Sequence, residues 1–428
     1  MRGLSISLLL ITICMAADDS NQILSSVKRN ILEQISETAN YACLETLDRA
    51  YYRDTGFELA THGPDTIIKP DNELLHDRLR LDVEVSEGKE LYSWHGSNLF
   101  SSSEVGEVVR SGPISSGQFI GYLRNIFLIP GIEFMDQPLG QADAYRFTYD
   151  VGSRVTRYQM YKTGGGWVTA PFRGSFTVNK SNLQLATLEV TPYDVPFNSS
   201  IQSARTQVRY QLARFSGRDA LIPAAFVLQL EDESHIFTVS RGEYSDCHEF
   251  RAESTLRFES SEKPQAIRDS APLPGSEAVL PPGLHLHIAL SSGIDDESGY
   301  SGDSVKGVLL DPVRDGDEVI PRGAVVSGVV TQLETRFRPQ KYCRVKIEFR
   351  RLESGNHRYK MRTRHEPTTK EMHLLYAFYG EKSKSALDEL QDGTILIDSS
   401  HVHLRPGFKA EWQTEPVPAP DPHSPVAR

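Results

Sequence analysis

The stretch "DRLRLDVEVSEGKELYSWHG" (residues 77–96) decides the fold class. Apolar and charged residues alternate strictly up to Glu-Gly-Lys at 87–89, and a second short run follows. Alternation of this kind is the pattern of a strand with one buried face, and a short Gly-containing segment between two such runs indicates a hairpin. The predicted buried face is formed by Leu79, Leu81, Val83 and Val85. The sequence therefore predicts an antiparallel hairpin with one apolar face.

The same period continues beyond this hairpin. From residue 143 onward, short alternating segments are separated by Gly, Pro, Asn or Asp, which is typical of an antiparallel meander. Two helices interrupt the pattern. Residues 20–38 carry an apolar stripe at helical spacing, and residues 116–128 carry another that ends before Pro130. We therefore expect a mainly β first domain over residues 18–258, with two helices packed on its sheet.

A second domain follows a change in composition. Residues 259–279 lack periodicity and are rich in Ser, Pro and charge, so they predict a linker. Residues 280–413 alternate again and predict a smaller, all-β domain. Residues 414–428 form a Pro-rich tail.

The first twenty residues, "MRGLSISLLLITICMAADDS", predict export. A basic residue precedes a short apolar run, and two alanines follow it, as in a secretory signal peptide over residues 1–17. A retained membrane anchor is the alternative interpretation. No later segment is long and apolar enough to predict a membrane-spanning helix. We expect a periplasmic or outer-membrane-associated protein.

Composition narrows the classes of function. The 428 residues carry a net charge of -11 with dispersed Lys and Arg, which disfavours nucleic acid as a partner. The sequence contains neither the Gly-x-Ser-x-Gly motif of serine hydrolases nor the His-Glu-x-x-His motif of metalloproteases. Acid pairs such as Asp295 and Asp296 lie in turn contexts. We expect a non-catalytic protein that needs no cofactor.

Cysteine usage agrees with export. Three cysteines remain after the predicted leader, namely Cys43, Cys247 and Cys343, and none belongs to a Cys-x-x-Cys pair. An oxidising compartment favours disulfides. Because Cys43 and Cys247 bracket the first domain, we predict that they are joined.

Two pairs of histidines suggest either a metal site or an ordinary solvent-facing strand surface. His285 and His287 alternate with leucines in "PPGLHLHIAL" (281–290), and His401 and His403 recur in "SSHVHLRPG" (399–407). Side chains at i and i+2 of a strand point the same way, so each pair can share a metal ion. If the first and last strands of a barrel are neighbours, all four histidines lie together.

Several phrases of the first domain resemble a known family. "NYACLETLDRAYY" (40–52), "FRGSFTVNKSNLQLATLEV" (172–190) and "CHEFRAESTLRF" (247–258) are similar to secreted bacterial proteins with the fold of the lipoprotein carrier LolA. The resemblance implies an antiparallel half-barrel with packed helices, whose apolar face holds acyl chains or a peptide. It implies a lipid or lipoprotein as partner, with Leu79, Leu81, Val83, Val85 and Phe176 as lining residues. A fully filled core is the alternative interpretation of the same residues.

The second domain resembles the C-terminal β-barrel of TrbI-type subunits of type IV secretion channels. The similarity lies in the start at Leu280–Gly283, in Gly302-Asp303 before Val305, and in the turn from Ile320 to Gly323. It implies a small barrel used for contact with envelope proteins. The chain departs from that family because it lacks an apolar helical insertion for a pore. A structural component of an envelope assembly is therefore the alternative to a lipid-binding protein.

Overall fold

The computed structural model describes most of the chain between residues 21 and 417. The described residues are 21–35, 40–53, 73–86, 88–97, 104–109, 111–137, 143–162, 165–215, 217–249, 278–316, 318–338, 340–379, 384, 388, 391–399 and 401–417. The predicted signal peptide and most of the predicted linker and tail lie outside them. Within this part of the chain, no helix is long and apolar enough to cross a bilayer.

The chain divides into two compact units. The first comprises Met1–Glu73, Val83–Tyr92 and Ser102–Phe250, and the second comprises Leu74–Asp82, Ser93–Ser101 and Arg251–Arg428. The turn end of the hairpin at 77–96 thus belongs to the first unit, and its open end belongs to the second. Sequence periodicity did not predict this division. The domain boundaries at 258 and 280 stay predictions.

Long antiparallel strands build the first unit and the hairpin. They are β1 (Tyr41–Arg53), β2 (Glu73–Ser86), β3 (Lys89–Trp94), β4 (Phe134–Gln137), β5 (Ala144–Val151), β6 (Gln159–Tyr161), β7 (Trp167–Thr169), β8 (Phe172–Asn179), β9 (Leu185–Pro192), β10 (Ile201–Phe215), β11 (Arg218–Asp232) and β12 (Ile236–Glu249). Hydrogen-bonded neighbours follow the order β4–β5–β8–β9–β10–β11–β12–β1, with every pair antiparallel. The predicted mainly β class is confirmed.

Helical segments cover one face of this sheet. Helix α1 spans residues 21–35 and buries Val27, Ile31 and Ile35, as its apolar stripe predicts. Helix α2 (Val105–Val108) is a single turn. The predicted helix at 116–128 is shorter than expected, because helix α3 (Gly121–Leu123) begins only after a turn at 118–120 and continues as a π-helical turn, Arg124–Leu128.

The second unit is also built from strands. They are β13 (Ala278–Val279), β14 (His285–Leu290), β15 (Ile294–Asp295), β16 (Ser304–Leu309), β17 (Val313–Asp315), β18 (Glu318–Ile320), β19 (Val325–Arg336), β20 (Tyr342–Ser354), β21 (His357–Lys360), β22 (Arg362–His365), β23 (Ile395–Ile397), β24 (His403–Leu404) and β25 (Lys409–Glu415). Helix α4 (Thr369–Tyr379) buries Leu375 beside Tyr342 and Leu396.

The ladders of the second unit follow the order β22–β25–β14–β16–β19–β20–β21. Strands β21 and β22 are separated only by Met361, whose N–H donates to the carbonyl of Arg350 on β20. The alternation in β14 is as predicted, since Leu286 and Ile288 are buried and His285 is exposed. Closure of these strands as a barrel stays a prediction.

A buried carboxylate crosslinks β19 and β20. Glu334 accepts hydrogen bonds from Arg344 Nη1 and Arg336 Nε, each at 2.8 Å, and from Gln332 Nε2 at 2.9 Å. Burial on its own raises the pKa of Glu334, but the two arginines outweigh burial and lower this pKa to about 2. The charge therefore stays on the carboxylate throughout the physiological range of pH.

We expect Glu334→Gln to destabilise the chain by about 3–5 kcal/mol, because it removes the buried negative charge that Arg344 and Arg336 both contact. The ion pair adds stability above pH ~4.5, and this stability is lost as pH falls toward 2. Urea unfolding at pH 7 and pH 3 measures both effects. Glu353→Gln, in an exposed pair with Arg358, is the control and should cost less than about 1 kcal/mol. Equal effects of the two variants would contradict this account.

A disulfide joins the first and last strands of the first unit. Cys43 on β1 is bonded to Cys247 on β12, the pairing that the sequence predicts, and the two cysteines are 204 residues apart. Cys43 lies at an irregularity in the β1–β12 register, between the pairs Ala42↔His248 and Leu44↔Ser245. Cys343 is a free, buried thiol. The crosslink limits the freedom of the unfolded chain over most of the first unit.

Reduction of this disulfide should lower the free energy of unfolding by about 3–5 kcal/mol, since it releases a long loop. Urea unfolding with and without dithiothreitol measures the difference. In the Cys43→Ala/Cys247→Ala variant the reductant should have no effect. Three reactive thiols in the denatured, non-reduced mature chain would rule out the disulfide.

Candidate ligand-binding interior of the first unit

The predicted lining residue Phe176 lies inside an aromatic cluster. Its ring centroid is 5.2 Å from that of Phe127, 5.3 Å from that of Phe147 and 6.0 Å from that of Phe134. Phe176 is fully buried. Phe127 comes from the π-helical turn, so a segment of the chain itself fills the interior at this point.

The other predicted lining residues are divided between the units. Val83 and Val85 belong to the first unit, whereas Leu79 and Leu81 belong to the second. All four side chains are at most 2% exposed, so the apolar face of the hairpin is buried as expected. Of the five predicted lining residues, Val83, Val85 and Phe176 belong to the first unit, and the lining role of all five stays a prediction.

Glu90 on β3 holds the segment before helix α3. Its carboxylate accepts hydrogen bonds from the backbone N–H groups of Gly117 at 2.8 Å, Ile120 at 3.1 Å and Gly121 at 3.4 Å. The hydroxyl of Tyr92 donates to the same carboxylate at 2.6 Å. These N–H groups precede or begin the helix and have no intrahelical partner, so an acceptor from another strand satisfies them.

A second carboxyl group, Glu45 on β1, is completely buried in the same interior. Burial raises the pKa of Glu45 to about 8, and the charge of Glu90 adds to the rise, whereas the Tyr244 hydroxyl opposes it. The Tyr244 hydroxyl lies 3.3 Å from Oε1 of Glu45. At neutral pH Glu45 is therefore mostly an uncharged acid that can donate a hydrogen bond.

Buried tyrosines surround these two acids. The Tyr210 hydroxyl donates to the carbonyl of Gln118 at 2.8 Å, and the ring of Phe119 lies 4.8 Å from that of Tyr244. Burial raises the pKa of Tyr92, Tyr210 and Tyr244 well above the usual value. The interior thus combines apolar surface with neutral tyrosine hydroxyls and the neutral carboxyl group of Glu45, beside the side chain of Glu90.

The sequence analysis missed Glu45 and Glu90. A signal for Glu45 is present in "CLETLDRA" (43–50), because Glu45 and Arg49 share the period of Leu47, and all three are buried. A charged residue in the apolar phase of a strand marks a buried polar site. Glu90 carries no such signal, since the backbone N–H groups that it binds lie 27 to 31 residues away.

Helix α1 seats against the sheet and leaves a cavity of about 180 Å³ at its edge. Ile31, Leu185 and Leu212 form apolar parts of the wall. Asn30 and Gln34 from the helix, and Asn182 and Gln184 from the β8–β9 turn, add carboxamide groups. The cavity is amphipathic. One of its sides is helix α1, which is not hydrogen-bonded into the sheet as a strand would be.

The turn at the cavity carries an unusual backbone. Leu183 has a φ of 55°, in the left-handed region that bulky side chains rarely adopt. Its N–H donates to the carbonyl of Asn179, and the Asn179 N–H donates to the carbonyl of Gln184. These bonds hold Leu183 at the cavity wall. Conformations of this kind concentrate at ligand-binding sites.

The histidines of the second unit pair with separate carboxylates. His285 Nδ1 lies 2.8 Å from Glu366, and His287 Nδ1 lies 3.0 Å from Asp311. Strand β14, which carries both, pairs with β16 and β25.

Of the other two histidines, His403 lies on a different ladder and His401 lies just before it. His403 Nδ1 is 3.2 Å from Asp295, and His401 Nδ1 is 3.7 Å from Asp296. Strand β24, which carries His403, pairs with β15. Strand β14 pairs instead with β25, which follows these histidines in the chain. Among the residues that the structure describes, no group of three or more His, Cys, Asp or Glu side chains is arranged to hold a metal ion. The predicted metal site thus gains no support.

Comparison with known proteins gives two similar structures. No family model and no curated protein matches the chain. The LolA superfamily protein NE2245 from Nitrosomonas europaea is 16% identical, with a TM-score of 0.26, covering 52% of this chain and 93% of that one. A DUF1329 family protein from Desulfovibrio piger is 11% identical, with a TM-score of 0.23, covering 54% and 92%. Likeness at this level assigns neither a family nor a function.

Glu45 makes a prediction about pH. The folded state keeps its proton up to about pH 8, whereas the unfolded state releases it near pH 4.5. Stability therefore falls as pH rises between these values, by about 1.4 kcal/mol per unit at most. Relative to wild type, Glu45→Gln should gain on the order of 4 kcal/mol between pH 4.5 and pH 8. Urea unfolding across this range measures the gain.

Glu243→Gln, at an exposed position of β12, is the matched control and should follow the wild-type profile. A profile of Glu45→Gln that stays parallel to wild type would show that Glu45 is ionised in the folded protein.

Proposed function

We propose that this chain is a non-catalytic envelope protein whose first unit binds the acyl chain of a lipid or of a lipidated partner. The ligand lies between helix α1 and the half-barrel sheet. The cavity at the seam between α1 and the β8–β9 turn is the observation that carries the proposal. The predicted signal peptide and the disulfide agree with an exported protein.

The size of the cavity defines what binding requires. About 180 Å³ is less than the roughly 300–1,000 Å³ of sites that enclose a small-molecule ligand. The present cavity admits only the end of an acyl chain. Entry of a whole chain requires helix α1 to move away from the sheet.

The energies are of the right size for such a movement. Helix α1 buries Val27, Ile31 and Ile35, and each fully buried side chain of this kind contributes roughly 1.5–3 kcal/mol. Exposure of all three costs roughly 5–9 kcal/mol. A buried methylene contributes about 0.8 kcal/mol, so about ten methylenes of a ligand offset the cost. An acyl chain can thus replace the apolar face of the helix.

Polar groups at the seam suit the head of such a ligand. Asn182 and Gln184 are hydrogen-bonded to each other through their side chains, at 3.2 Å. Carboxamides donate and accept, so they match an ester or an amide better than a dense charge. Lys28, on helix α1, lies over the ring of Phe134, with Nζ 3.9 Å from the ring centroid. Burial lowers the pKa of Lys28.

Leu212→Trp tests this function. Leu212 is 42% exposed at the cavity, so an indole there fills the cavity without disturbing the core. We expect the Kd for a fluorescent sixteen-carbon fatty acid to rise about ten-fold or more in an equilibrium titration, because the probe loses contact area. Val325→Trp in the second unit, at 43% exposure, is the control and should bind as wild type. Equal affinity of both variants, or no binding by wild type, would overturn the proposal.

A further inference from the structure

A basic excursion separates strands β5 and β8. Residues 152–171 leave the main ladder and form the β6–β7 hairpin, whose strands pair from Gln159↔Thr169 to Tyr161↔Trp167. This stretch contains Arg154, Arg157 and Lys162 and neither Asp nor Glu, although the whole chain has a net charge of -11. All three basic residues are exposed. The excursion is therefore a local positive surface on an acidic protein.

Large aromatic side chains lie at the end of this hairpin. Tyr161 and Trp167 are each 51% exposed, and their rings meet edge to face with centroids 5.7 Å apart. Phe197, on the loop between β9 and β10, is completely exposed. Exposure of three large aromatic side chains to water is unfavourable unless a partner covers them.

Hydrogen bonds tie the Phe197 loop to the hairpin. The carbonyl of Tyr161 accepts from the N–H and from the hydroxyl of Ser200, both at 3.0 Å, and Lys162 forms a bridge with Ser199. We call Tyr161, Trp167 and Phe197 the aromatic tip. It is a defined surface because both of its segments are anchored to the same carbonyl.

The chemistry of the aromatic tip selects its partner. Trp and Tyr prefer the interface between water and lipid, where the ring is apolar and the polar atom stays hydrated. Basic residues beside such rings add attraction to anionic lipid head groups. The loop adds one acid, Asp194, and exposed Glu233 donates its backbone N–H to the carbonyl of Ser200 at the end of this loop, which leaves a net charge of +1 on residues 152–171, 193–200 and 233. A flat, negatively charged, deformable surface satisfies both features.

We propose that the aromatic tip docks this protein on the surface of an anionic phospholipid bilayer. Trp167, Tyr161 and Phe197 enter the head-group region, and Arg154, Arg157 and Lys162 contact lipid phosphates. This docking does not depend on a ligand in the interior of the first unit.

Tryptophan fluorescence reports on this surface directly. The chain has three tryptophans, and Trp94 and Trp412 are at most 7% exposed, so Trp167 dominates any change in solvent contact. With the mature chain and vesicles of phosphatidylcholine and phosphatidylglycerol at 3:1, we expect a blue shift, quenching by brominated lipid, and cosedimentation that weakens with salt. Vesicles of phosphatidylcholine alone should bind less.

Variants separate the two contributions. Trp167→Ala/Phe197→Ala should reduce partitioning into the anionic vesicles about ten-fold or more, and Arg154→Glu/Arg157→Glu should do the same at low salt. Met135→Ala, which removes another exposed apolar side chain, should leave it unchanged. Both double variants should keep wild-type affinity for the fatty-acid probe, which distinguishes docking from ligand binding. The proposal would be overturned if the wild-type protein did not cosediment with the anionic vesicles. It would also be overturned if the wild-type protein self-associated in solution and Trp167→Ala/Phe197→Ala did not.

Discussion

The carboxylate of Glu90 is the contact on which the first unit depends. Its hydrogen bonds to the N–H groups of Gly117, Ile120 and Gly121 fix where helix α3 begins. That position carries Phe127 against Phe176 and thereby fills the centre of the aromatic cluster. Burial, with the charge of Glu90 as a further cause, keeps the neighbouring Glu45 protonated at neutral pH, so an uncharged acid lies beside Glu90 in this interior.

The two helical elements on the sheet are held by different forces. Helix α3 is tied to β3 by charge-assisted hydrogen bonds, which are directional and costly to break inside a protein. Helix α1 buries Val27, Ile31 and Ile35, and apolar contacts of this kind can be exchanged for those of another apolar molecule. Helix α3 is therefore fixed on the sheet, whereas the apolar contacts of helix α1 can be replaced by those of another apolar molecule. Under the proposed function, the ligand therefore enters at α1, where the cavity lies, and away from Phe176.

Sequence periodicity predicted what depends on neighbouring residues. The hairpin at 77–96, the apolar stripe of α1 and the alternation around Leu286 all appear in the structure, because burial on one face imposes a local period. The disulfide followed from the positions of Cys43 and Cys247. The sequence predicts only short alternating segments after residue 143, but residues 236–249 form the single long strand β12. Strand β12 is stabilised by its pairing with β11 and with β1, which is distant in sequence. The local sequence pattern therefore does not predict its length.

The site depended on long-range contacts and was predicted less well. Phe176 is buried as expected, but one of its neighbours, Phe127, comes from a turn about fifty residues away in the sequence. Leu79 and Leu81 read as continuous with Val83, yet they belong to the other unit. The histidine pattern predicted side chains that share a face of a strand. In the structure, His285, His287 and His403 each lie within hydrogen-bond distance of a different carboxylate. Sequence periodicity determines which side chains share a face of a strand, and the tertiary fold determines what those side chains contact.

Native mass spectrometry of the mature chain tests the central claim most directly. The protein would be exported in a bacterial host and purified from the cell envelope without detergent. The account predicts an added mass of several hundred daltons that extracts into organic solvent as lipid and is reduced in Leu212→Trp. A clean mass of the polypeptide alone, above all with a second protein co-purifying, would contradict acyl-chain binding and favour a role in an envelope assembly.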